Sequence, residues 1–291
     1  MVQDIMMQLS DMFEPVTDSD INSAKNYVLR RDSASRGLAH LIDALLADAA
    51  EEIARIAYRY GIDPERFEIS SSYNDKMMEE MAKVFDDLEE DILDLTCAYA
   101  TKCTEDKDKK PLLLLWVLAL GRNNKGLRKT LEDRLWTFSR DIEAMLVAVK
   151  KAGHDPTKAI SRIKSYLHTV YTMPEIKPLF KEPNRYKATY IRTQGVKHGN
   201  VGSSNSEANN IDRFVKTTVQ MAWMHYQHEL YEGNGAAGYY VLRGSTYLCD
   251  LCDSKVGFHT MDEIDGYPPF HPNCCCFAVP VYEKDINDLT I

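Results

Sequence analysis

Apolar residues recur with helical spacing over most of the first 172 positions. From Leu38 to Tyr60 they fall at Leu38, Leu41, Ile42, Leu45, Leu46, Ala49, Ile53, Ile56 and Ala57, a single stripe along a helix. Asp20 to Arg31 is also helix-compatible, with Thr17, Asp18 and Ser19 as candidate caps. Gly61, followed by Asp63-Pro64-Glu65, predicts a stop and a turn. A second long helix is predicted from about Asp75 to Thr101. Met77, Met81, Val84, Phe85, Leu88, Ile92 and Leu95 line its apolar face. The opposite face carries Glu79, Glu80, Asp86, Asp87, Glu89, Glu90, Asp91 and Asp94, and is expected to be solvated. The run Leu112 to Leu120 is about half the length of a bilayer span and predicts a central buried helix, opened by Pro111 and ended by Gly121. Leu127 to Ala152 is amphipathic, and Asp155-Pro156 reopens a helix to about Tyr171.

The pattern changes after Met173. Pro174, Pro178 and Pro183 interrupt regular helix, and Gly199 to Asn210 reads as a flexible linker. Ile211 to Tyr231 returns to helix. Tyr239 to Leu242 and Phe277 to Tyr282 are β-prone, and Pro280 places the second run at a sheet edge. The expected fold class is mainly α. It has a helical body over 1–172, a basic segment and linker over 173–210, and a small α+β module over 211–291.

Five of the seven cysteines lie in that module, at Cys249, Cys252, Cys274, Cys275 and Cys276, beside His271. A Cys-x-x-Cys turn supplies two thiolates, and a second cluster supplies the rest of a tetrahedral zinc site. The candidate ligands are Cys249, Cys252, His271 and either Cys274 or Cys276. In an extended chain Cys275 faces the other way and is left out. A structural, closed zinc is expected, because neither a His-Glu-x-x-His nor a deaminase His-x-Glu pattern accompanies the cysteines. A redox pair at Cys249 and Cys252 would want a βαβ context that the sequence lacks. His259 is an alternative ligand, though a loop histidine is more often solvent-exposed. His225 and His228 share a helix and are read as packing or exposed residues.

A formal net charge of -9 and a pI near 5.4 disfavour a dedicated nucleic-acid coat protein. One basic stretch runs against that trend: Lys177, Lys181, Arg185, Lys187, Arg192 and Lys197, interleaved with Phe180, Tyr186 and Tyr190. Such a stretch can track phosphates and stack on bases, although a solvated connection is the plainer account. The first residues, Met1 to Met7, show no signal-peptide pattern, so a reducing compartment and no membrane association are expected. No acid–base pair, phosphate loop or nucleophile motif stands out, so no enzymatic activity is expected.

From Arg213 onward the chain resembles the C-terminal module of the phage Mu protein F-like head morphogenesis family, the minor head or minor capsid proteins. The residues that carry the resemblance are the helix over 211–231, Tyr239 to Leu242, Cys249/Cys252, Gly257, Pro269-Phe270-His271-Pro272-Asn273-Cys274-Cys275-Cys276 and Pro280. The chain departs from the family at Cys275, where an Arg is usual. It also lacks the acidic residue of a Thr-Glu pair at Thr217-Thr218-Val219-Gln220, and the Trp that often precedes the first cysteines. The resemblance implies a virion component, present in the host cytoplasm during assembly. Its partners would be portal or other capsid proteins, with packaged DNA as a further contact. The competing readings are a zinc-containing nucleic-acid-binding protein, or an effector or toxin carrying the same module.

Overall fold

Thr17 opens the first helix. Its hydroxyl accepts from Asp20 N–H at 3.3 Å, while its own N–H and hydroxyl donate to the Asp20 carboxylate at 2.9 and 2.6 Å, a reciprocal cap. Helix α1 then runs Asp18–Tyr60, 43 residues. It belongs to a computed structural model that describes residues 13–69, 75–120, 125–180, 206–271 and 273–284. The sequence pattern separates Asp20–Arg31 from Leu38–Tyr60, but the residues between them are helical too. Ala24, Val28, Arg31, Ser35 and Leu38 are all buried at alternating four- and three-residue steps. Two of those positions are polar, which hides the continuity of the stripe. Gly61 ends the helix at φ 74°, its N–H bonded to Ala57 O at 3.1 Å.

The other helices are α2 (Asp75–Ala100), α3 (Lys109–Ala119), α4 (Gly126–Lys151), α5 (Pro156–Tyr166) and α6 (Glu207–Gly233). They are followed by strand β1 (Gly238–Leu242), the one-turn helix α7 (Asp250–Asp253), and strands β2 (Gly257–Thr260) and β3 (Phe277–Val281). The fold is therefore mainly helical, with a small antiparallel sheet near the C-terminus. Among the described residues no helix is long and apolar enough to cross a membrane. Helix α3 corrects an expectation. Leu113 and Val117 are buried, but Leu112 and Leu115 are 68% and 65% exposed, so the run is not a central buried helix. Leu113 and Val117, four residues apart, mark the one face of this helix that is buried.

The chain folds into two compact units. One comprises residues 37–97 and 118–215. Its core includes Ile42, Leu46, Ile53, Met77, Met81, Ile92, Phe138 and Ile142. Two buried acids on α4 organise the loops around that core. Glu143 accepts from Ile69 N–H at 2.9 Å, and Asp141 accepts from Tyr171 O–H and Glu207 N–H, both at 2.7 Å. Asp141 thereby caps α6, which begins inside the stretch read as a linker. Residues 207–210 are helical, and 199–205 lie outside the described residues. At α5, Asp155 caps Lys158 N–H at 2.9 Å with Pro156 in the first turn, as expected, but the helix ends at Tyr166 and a 3-10 turn covers Val170–Thr172. The acidic face of α2 is largely solvated, with Arg59 on Glu80 and Arg128 on Glu89 and Glu90.

The second unit comprises residues 1–36, 98–117 and 216–291, so the cysteine module is assembled from three stretches of chain rather than one. Its sheet has the order β2-β1-β3, all antiparallel, with Tyr239 opposite both His259 and Pro280. Strand β3, with Pro280, is an edge of this sheet as expected. Strand β2 was not foreseen. It is four residues long and lies between the two cysteine clusters. The start of α1 covers the sheet: Ala24 and Val28 pack with Phe277 and Val279, flanked by Val16, Ile21 and Leu242. Tyr27 O–H donates to Trp223 O at 2.5 Å, and Trp223 Nε1 donates to Tyr99 O at 3.1 Å.

Candidate metal centre

The first ligand pair sits on α7. Cys249 precedes this single helical turn, and Asp253 N–H closes it on Cys249 O at 2.8 Å. A turn of this kind sets the thiols of Cys249 and Cys252 on one side. Arg243 braces it from the end of β1 through Asp253, the Tyr247 carbonyl and, at 3.5 Å, the Cys249 carbonyl. The second cluster follows a turn closed by Cys274 N–H on His271 O at 3.1 Å. Asn273 occupies its third position at φ 63°, a conformation Asn tolerates better than most residues. Gly244 lets the cluster approach β1. A Cβ there would lie 1.7 Å from the Cys275 carbonyl oxygen.

These elements bring two triads together. Cys249, Cys252 and His271 form one, and Cys252, Cys274 and Cys276 the other, with the ligand atoms in each triad within 4.8 Å of one another. Cys252 belongs to both. His271 Nε2 lies 3.4 Å from Cys249 Sγ and 3.0 Å from Cys252 Sγ, and Cys252 Sγ lies 3.9 Å from Cys274 Sγ. A tetrahedral ion with ordinary sulfur and imidazole bond lengths separates two sulfurs by about 3.8 Å, and a sulfur from a nitrogen by about 3.5 Å. The cluster is close to those spacings and could hold a metal ion. Cys252, Cys274 and Cys276 are buried, and Cys249 and His271 half-buried.

Protons are unevenly shared across the site. A hydrogen bond from Cys276 holds the Cys274 thiol down to about 5, and the same contact raises Cys276. The backbone N–H of Cys252 lowers Cys249, while burial pushes Cys252 up to about 12. Metal ligation needs thiolates, and a cation at the centre removes the repulsion that keeps neighbouring thiols protonated.

Cys275 belongs to neither triad, and its sulfur faces Asn273 O at 3.6 Å. His259 is also outside the cluster, held by Glu263 at 3.0 Å and Lys255 O at 2.9 Å. His225 stacks on Trp116 at 4.1 Å, and His228 meets Met261 O at 3.0 Å. Of the basic stretch, Lys177 is exposed in a short 3-10 turn, and Lys181, Arg185, Lys187, Arg192 and Lys197 lie outside the described residues. Sequence reasoning missed Arg31, Arg243 and Gly244. Only Arg31 left a trace, as a cation at a core position of the α1 stripe. No protein-family model, curated protein or solved structure matches this chain.

Proposed function

We propose that the chain is a structural minor head protein of a phage or prophage, with a C-terminal module held by one structural zinc ion. The observation that carries this reading is the pair of triads, Cys249/Cys252/His271 and Cys252/Cys274/Cys276, joined through Cys252, in the same motif on which the resemblance rests. Zinc suits a mixed thiolate–imidazole set of four. Cys274 is the preferred fourth ligand because its sulfur is 3.9 Å from Cys252 and its backbone is held by the His271 turn. Cys276 lies in the same pocket as a spare thiol. With the fourth position filled by protein, the ion has no open site for water, which fits a structural role. The partners in this reading are portal or other capsid proteins, with packaged DNA as a further contact through the basic stretch 177–197.

Two experiments test the proposal. Protein purified without added metal should carry about one equivalent of zinc. Cys274→Ser should lose most of that zinc and Cys276→Ser should keep it; the reverse order would move the fourth ligand to Cys276. Less than a tenth of an equivalent in the parent chain, with thiols free to react, would end the zinc reading. For the phage reading, the chain should be present in purified heads or procapsids of the phage that encodes it. Its absence from both would overturn that part alone.

A further inference from the structure

We infer that Arg31, on helix α1, is a positioning residue of the metal centre, so that the ion and the N-terminal half of α1 are ordered together. The inference rests on the zinc reading above. Arg31 is 0% exposed although it stands more than two hundred residues from the cysteines. Its Nη2 donates to the carbonyl of Cys274 at 2.8 Å. The same fork is clamped from the other side by Asp32, whose Oδ1 accepts from Nη2 at 2.8 Å and from Nε at 3.0 Å. Cys274 is thus gripped at both ends of its backbone, by the His271 carbonyl on its N–H and by Arg31 on its C=O.

The arrangement is more specific than packing requires. A buried arginine is costly unless its charge and N–H groups are met, and this one is met by a carboxylate and a ligand's carbonyl. Arg31 Nη1 is buried with no hydrogen-bond partner among the described residues, so the side chain is not placed to satisfy every donor. Its orientation follows Asp32 and Cys274. Groups that fix a ligand's backbone from outside the coordination sphere typically change metal affinity by about ten- to hundredfold when removed. The first ligand cluster has a counterpart in Arg243, which reaches the Cys249 carbonyl at 3.5 Å. Arg243, however, is close in sequence to the cluster it braces, whereas Arg31 brings in a helix more than two hundred residues away.

The test uses the full chain and zinc itself. Zinc affinity is measured by competition with a chromophoric chelator for the parent, R31M and V28A. Val28 packs α1 on the sheet beside Phe277 and Val279 and has no side-chain hydrogen-bonding group to offer a ligand's carbonyl. R31M should bind zinc about ten- to hundredfold more weakly, and V28A should stay near the parent. Cobalt-loaded R31M should show a weaker thiolate-to-cobalt absorption band than cobalt-loaded parent. Parent-like affinity in R31M, or an equal loss in V28A, would overturn the inference while leaving the zinc reading intact. Absence of zinc binding by the parent would overturn both. Should R31M fail to fold, hydrogen exchange on the parent decides. Zinc must slow exchange at amides 27–35 as well as at the cysteine clusters, and no change at 27–35 would overturn the proposal.

Discussion

Glu175 accepts two hydrogen bonds from one guanidinium. Arg162 Nε and Nη2 each reach a different carboxylate oxygen at 2.8 Å, and His154 Nε2 lies 3.1 Å from one of them. The Arg162 contact is the main reason its carboxyl is lowered from 4.5 to about 2. The pair is largely shielded from water, with the Glu175 side chain 12% exposed. A depressed carboxylate stabilises the fold above its unfolded value and stops doing so as pH falls through its folded value. Glu175→Gln should therefore cost stability at pH 7, by no more than about 3 kcal/mol. The difference from the parent should shrink between pH 4.5 and 2. Urea midpoints measured across that range check it, and a pH-independent difference would assign the loss to packing instead.

Asp141 does for a whole element what Glu175 does for a side-chain pair. It sits in the buried stretch of α4 and takes the first N–H of α6 on one oxygen and Tyr171 on the other. Asp141→Ala leaves two buried donors without that partner, at about 1–3 kcal/mol each. The expected result is a fall in unfolding free energy of about 2–6 kcal/mol, with faster exchange at amides 207–210. An unchanged midpoint would mean that other contacts start α6. This contact is one reason the beginning of α6 was illegible: Ser206-Glu207-Ala208-Asn209-Asn210 reads as loop, and the carboxylate that takes its first N–H comes from a distant helix. Local signals were readable at Thr17, Asp155, Gly61 and the Gly153 that follows α4, but not at Ser206, whose hydroxyl accepts from Asn209 N–H at 3.3 Å. They failed where a polar residue occupies a core position, as Arg31 and Ser35 do in α1, and where a short strand such as β2 depends on its neighbours. The five residues of the candidate cluster were legible because ligand chemistry restricts residue type and spacing together. The arginines that brace them were not, since a backbone carbonyl leaves no mark on the sequence.

An ion held by the cysteine cluster would couple parts of the chain that hydrophobic burial alone joins weakly. The sheet has three strands of four or five residues, and its core cluster with α1 is small. By contrast, residues 37–97 and 118–215 form a unit with an extensive apolar core and contain none of the candidate ligands. An ion that binds only the folded state stabilises it in proportion to the logarithm of its concentration over Kd. A thousandfold excess is worth about 4 kcal/mol. For a unit of this size each kcal/mol moves its melting point by roughly 2–5 °C, so a strong chelator should lower the melting transition of the unit that holds the cysteines by about 10 °C. The loss should be local. Exchange should accelerate over the sheet, α7 and the first turns of α1, while amides around Ile53, Met81 and Ile142 keep their protection and most of the helical circular-dichroism signal survives. Thermal melts and hydrogen exchange on the same sample, with zinc removal verified by elemental analysis, would check this. A verified metal-free chain that melts at the parent temperature would show that the cysteine cluster packs as thiols and needs no ion.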